Sequence, residues 1–114
     1  MEINVKKNGD IFVVKPSGNM NYEDINIFSG EVVNLIHDNF QPKFIFDFGN
    51  MAYINSATIG KFAAIFKLIN HAKGVVIFCN VRPFVKNILD ITKLSTVFDI
   101  CDSLGEAIET AKKR

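Results

Sequence analysis

The chain has 114 residues, with 13 Lys and Arg against 12 Asp and Glu, a formal charge of +1. That length suits one hydrophobic core and is too short for two, so residues 1–114 are expected to form a single domain. At 48% apolar and 22% charged residues the composition is that of an ordinary globular domain, and the near-neutral charge gives no general pull towards nucleic acid or acidic membranes.

No nucleic-acid partner is therefore expected, and Lys112-Lys113-Arg114 reads as a solvated helix tail. Glu2 stands where a targeting segment would be basic, and no window reaches the roughly 18 apolar residues of a membrane span, so the expectation is a cytoplasmic protein without membrane insertion. Cys79 and Cys101 have no motif spacing and read as buried free thiols. His37 and His71 fall on separate predicted helices, which gives no metal constellation and no cofactor expectation.

In chain order, residues 2 to 7 alternate polar and apolar, the period of a half-exposed strand, and Asn8-Gly9-Asp10 is a hairpin turn. Ile11 to Lys15 is the antiparallel partner strand, which Pro16-Ser17-Gly18 is expected to end. Asn21 is a helix N-cap with Asp24 in the first turn, and Ile25, Phe28, Val32, Leu35 and Ile36 form the apolar stripe of a helix reaching about Asn39. Gly30 inside it costs about 1 kcal/mol relative to Ala. Pro42 leads into the strand Lys43 to Asp47, whose lack of alternation predicts burial on both faces. A turn at Gly49-Asn50 follows, then Tyr53-Ile54 and a helix from Ser56 to about Ala72. Ile59, Phe62, Ala63, Phe66 and Ile69 face its core; Gly60, Lys67 and His71 lie opposite, with Ala64 beside them. Lys73-Gly74 caps this helix, Val75 to Cys79 is a central strand, and Pro83 opens a third helix that Ser95-Thr96 breaks. Val97 to Ile100 is a brief strand, and Ser103 to Glu106 is a capping box that opens the last helix.

The order β-β-α-β-α-β-α-β-α predicts an α/β fold. Its mixed sheet has four to five strands: an N-terminal antiparallel hairpin, then parallel strands connected through four helices. No Gly-rich phosphate loop is present, and no His is near Ser56 in sequence, so catalysis is not the expected role. Ser56 stands where a helix begins, and the first turn of a helix presents unpaired N–H groups and a partial positive charge. A phosphoryl dianion there would meet those groups, while the same charge in a close interface would cost several kcal/mol. Ser56 is also readable as a simple cap, a role for which Asn55 competes.

Three stretches together resemble the STAS domain, specifically the small bacterial anti-sigma factor antagonists. Ser17-Gly18-Asn19-Met20-Asn21 resembles the family's Gly-Glu-Leu-Asp, and Tyr53-Ile54-Asn55-Ser56-Ala57-Thr58-Ile59-Gly60 resembles its Phe-Ile-Asp-Ser-Ser-Gly-Leu-Gly. The third runs from Asn80 to Ala107, with Val81, Pro83, Val85, Leu89, Thr92, Leu94, Phe98, Ile100, Ser103 and Glu106-Ala107 in family-like positions. The resemblance implies a substrate of a protein serine kinase and not an enzyme. Ser56 would be the acceptor and Thr58 a second candidate. The partner would be an anti-sigma factor that is itself the serine kinase, with a serine phosphatase as the resetting partner. Unphosphorylated protein would bind the kinase and free the sigma factor. The expected partner surface comprises Asn21, Asn55, Ser56, Ala57, Thr58, Gly60, Lys61 and Ala64, on a monomer or weak dimer.

Two departures stand out. Asn21 and Asn55 replace acids of the family, and Ala57-Thr58 replaces its Ser-Gly. A STAS scaffold or accessory subunit that is never phosphorylated, in a transport or signalling complex, is the alternative role, and small-ligand binding at the same turn a third.

Overall fold

The computed structural model describes residues 1–55 and 57–114 in full, and Ser56 only as the first residue of a 3-10 turn. Among them the chain forms six strands and five α-helices, β1 (Glu2–Asn8), β2 (Ile11–Met20), α1 (Tyr22–Asp38), β3 (Lys43–Asp47), β4 (Met51–Ile54), α2 (Ile59–His71), β5 (Val75–Cys79), α3 (Pro83–Ile91), α4 (Leu94–Val97), β6 (Asp99–Cys101) and α5 (Leu104–Lys112), with a 3-10 turn (Ser56–Thr58) before α2. The sheet runs β1-β2-β3-β5-β6, with β4 also on β2. β1 and β2 are antiparallel and every other pairing is parallel. The mixed α/β class holds, with one strand and one short helix more than the sequence suggested.

Strand alternation explains how one sheet serves two layers. Phe12, Val14, Phe44, Phe46, Val76 and Phe78 point into a core shared with Ile25, Phe28 and Val32 of α1, Phe62 and Phe66 of α2, and Val85 and Leu89 of α3. Their neighbours Ile11, Val13, Ile45, Ile77, Cys79 and Cys101 face the other way, against Ala107 and Ala111 of α5. That is why the β3 run shows no polar alternation. Phe66 sits at the centre of the larger core, with ring centroids 4.8 Å from Phe62, 4.9 Å from Phe46 and 5.0 Å from Phe78, all close to perpendicular. Edge-to-face pairs of this kind add about 0.5–1.5 kcal/mol each beyond burial.

The second strand differs most from expectation. It runs through Pro16 and Gly18 to Met20 and does not stop at Lys15. Residues 11–14 of β2 pair with β3, whereas Gly18, Asn19 and Met20 pair with β4 across a register shift. Pro16 lies in the gap between these two partners, so its missing N–H removes no ladder bond on that side. Gly18, at φ +94, takes the left-handed backbone that the changeover needs.

Three boundaries move. Helix α2 starts at Ile59, three residues later than expected, because the chain first makes the 3-10 turn. Helix α3 stops at Ile91, and Lys93 at φ +66 turns the chain; Ser95 and Thr96, expected as the break, lie inside α4. The last strand is Asp99–Cys101, shifted from Val97–Ile100. At the end of α2 it is Lys73 that adopts positive φ, while Gly74 answers a packing demand: a Cβ there would stand 2.5 Å from the Pro42 carbonyl oxygen.

Candidate functional site

The pairing of β2 with β4 brings the two loops of interest together. Met20 and Ile54 are register partners, so Asn21 and Asn55, the next residues of each strand, leave the sheet side by side. The Asn55 N–H donates to the Met20 carbonyl at 3.0 Å and fixes this junction.

Both amides work through their oxygens. Asn21 Oδ1 accepts the N–H groups of Glu23 and Asp24 at 3.1 Å each, and Asp24 Oδ2 accepts the Asn21 N–H at 3.2 Å, a reciprocal capping box. Asn55 Oδ1 accepts the Ala57 N–H at 2.8 Å, and its backbone carbonyl accepts Thr58 N–H at 2.9 Å and Thr58 Oγ1 at 2.7 Å. A carboxylate could accept the same bonds. An amide at either position thus holds the loop as an acid would, without the charge.

Thr58 is 1% exposed, its hydroxyl committed to the Asn55 carbonyl. As an acceptor it would have to break that bond and leave the core; its role is to tie the 3-10 turn to α2. Ser56 lies outside the residues described in full. Asn21, Ala57, Gly60, Lys61 and Ala64 are exposed, and Asn55 is half-buried.

Lys61 links the two helices. Its Nζ donates to Asn26 Oδ1 of α1 and stands 5.7 Å from the centroid of the Tyr22 ring. Tyr22 and Tyr53 are 64% and 55% exposed beside this surface. Sequence reasoning did not single out Tyr22 or Asn26. The available signal was that Tyr22 sits at the first helical position, off the Ile25, Phe28, Val32 stripe.

Asp47, the nearest acid upstream of Ser56, is occupied elsewhere. Its buried Oδ1 accepts Gly49 N–H at 3.0 Å and Asn80 Nδ2 at 3.1 Å, and Lys15 Nζ approaches Oδ2 at 4.0 Å. This carboxylate shapes the turn after β3.

The STAS domain family profile matches residues 2–107. The chain belongs to the STAS domain family. It is 21% identical over 108 residues to the anti-sigma F factor antagonist of Paenibacillus polymyxa, covering 95% of this chain and 92% of that protein. Among solved structures, an anti-sigma factor antagonist from Mycobacterium paratuberculosis superposes with a TM-score of 0.81 at 16% identity, over 97% of this chain and 93% of that one. The Bacillus cell fate determinant SpoIIAA in its phosphorylated form superposes at 0.78 and 14% identity, over 96% of this STAS chain and 98% of the other. At these identities the superpositions carry the fold; the site rests on the geometry above. Among the described residues, no helix is long and apolar enough to cross a membrane.

Proposed function

We propose that this STAS protein is an anti-sigma factor antagonist whose binding to a serine-kinase anti-sigma factor is switched by phosphorylation of Ser56. The observation that carries the reading is the junction of β2 and β4, which sets Asn21 beside Asn55 directly before Ser56 and next to the exposed start of α2. The names borne by relatives of nearly the same length support the general role.

In this reading the unphosphorylated protein offers the partner Asn21, Asn55, Ala57, Gly60, Lys61 and Ala64. Gly60 and Ala64 are small and exposed, so a partner backbone can approach α2 closely. Ser56 precedes α2 by one 3-10 turn, and Asn55 already holds the Ala57 and Thr58 N–H groups, so what favours a dianion there is the positive end of α2 at Ile59 and beyond. The same dianion in the closed interface costs several kcal/mol of desolvation, which releases the partner. Thr58 keeps its structural bond and Ser56 takes the phosphoryl group. The protein is then a substrate of the kinase and does no chemistry itself; a serine phosphatase resets it.

The test is to incubate the protein with a serine-kinase anti-sigma factor of its own organism and ATP and to measure intact mass. One added phosphoryl group is expected on the wild type and on Thr58→Val, and none on Ser56→Ala. Absence of any phosphoryl group on wild type, with the kinase shown active on its own antagonist, would leave a scaffold role in its place.

A further inference from the structure

Beyond that switch, we infer that Cys79 and Cys101 form a paired-thiol site that a hydroperoxide oxidises to an internal disulfide. The two cysteines end β5 and β6 and are direct register partners. Both are free and buried, on the sheet face covered by α5. Adjacent strands lie about 4.7–4.9 Å apart, inside the roughly 4.4–6.8 Å between Cα atoms that a disulfide spans. β6 is a three-residue strand at the edge of the sheet, so it can take up the small displacement that closure requires.

The two thiols differ in access. Cys101 forms part of the wall of a cleft of about 460 Å³ at the ends of β5 and β6, which Asn80, Pro83, Lys86 and Asp102 also line. A molecule the size of hydrogen peroxide fits there. Cys79 is 0% exposed and does not line the cleft; it lies beside Cys101, which is 6% exposed, on the face under α5. On its other flank Cys79 is register partner to Asp47, whose carboxylate is held by Gly49 and Asn80. The cover itself is thin. Ala107 and Ala111 are the fully buried residues of α5, and Thr110 Oγ1 lies 3.7 Å from Cys101 Sγ.

The chemistry balances without a cofactor. Cys101 sulfur attacks one peroxide oxygen; the O–O bond breaks, and the departing hydroxide takes the thiol proton to form water, leaving a sulfenic acid. Burial keeps the Cys79 thiol protonated, so its proton passes to the departing hydroxyl as its sulfur attacks Cys101 sulfur; the S–O bond breaks, the S–S bond forms, and a second water leaves. Two thiols lose two electrons and the peroxide gains them.

Treatment of the full chain with hydrogen peroxide, a catalase quench and alkylation in denaturant provides the test, read by intact mass and peptide mapping. The expected result is a monomer lighter by two hydrogens, unalkylated, with the Cys79 and Cys101 peptides joined. Cys79→Ser should instead stop at oxygen adducts on Cys101, and Cys101→Ser should leave Cys79 reduced. Oxygen adducts on wild-type Cys101 without a cross-link, a disulfide between two chains, or persistence of both free thiols would each overturn the inference. The wild-type mass alone decides the matter should a serine variant fail to fold.

Discussion

Asn55 Oδ1 accepts the Ala57 N–H at 2.8 Å, so the residue that precedes Ser56 holds the residue that follows it. An acceptor oxygen is all this bond asks of position 55. Asn55→Asp should therefore leave urea stability within about 0.5 kcal/mol of wild type, while Asn55→Ala should lose about 1 kcal/mol, the usual cost of removing a cap of this type. On the proposed function, Asn55→Asp also places a charge in the partner surface, and a changed affinity for the kinase with unchanged stability is the outcome to look for in titration calorimetry.

Gly30 is exposed in α1, and a Cβ added there meets nothing within 4 Å. Gly30→Ala should raise unfolding free energy by about 1 kcal/mol, since the helix gains propensity and no atom must move. Urea denaturation with an unchanged m-value checks it.

Phe66→Ala tests the aromatic core. Removing a ring that meets Phe46, Phe62 and Phe78 at centroid distances of 5.0 Å or less leaves a cavity that other rings cannot fill without leaving their own places. The expected loss is about 3–5 kcal/mol. For a domain of this size that is a large fraction of the total stability and should show as a much lower thermal midpoint.

Burial, reinforced by the Asp47 carboxylate, pushes the Cys79 thiol up from its ordinary 9.0 to about 12. The folded state keeps this proton after the unfolded state has lost it. The stability linked to Cys79 is thus fully present below about pH 9 and is lost as pH rises towards 12. Stability measured from pH 8 to 11 should fall more steeply for wild type than for Cys79→Ala. Parallel profiles would show that the thiol does not contribute.

Sequence patterns revealed what depends on near neighbours. Lys43–Asp47 was readable to the residue because β3 is buried on both faces and shows as an unbroken apolar run. Asn21 was legible as a cap and Asp24 as a first-turn acid, while the reciprocal bond that makes them a capping box was not; at Ser103 the expected box is half made, its Oγ accepting the Glu106 N–H while the Glu106 carboxylate turns to the Asp102 N–H. β4 escaped notice because Met51 and Ile54 are buried while Ala52 and Tyr53 are exposed, a pattern that lacks the period 2 of a strand and has instead the i, i+3 spacing of a helix. The run of β2 past Pro16 was hidden because proline and glycine normally end a strand, and only the exchange of partners makes them acceptable. Lys93 gave no sign that it would take positive φ, since lysine has no preference for that region. At the site, Asn21 and Asn55 were legible one by one, but their adjacency is a product of β2–β4 pairing. The Lys61 contact with Asn26 joins residues 35 apart in sequence and had no local signature.

The forked pairing of β2 has a mechanical consequence. Asn21 and Asn55 issue from partnered positions at its far end, so the two loops are spokes of one hub and cannot be displaced independently. On the proposed function, a partner that engages Asn21 and Asn55 meets two residues already set side by side and gives up little freedom in ordering that pair.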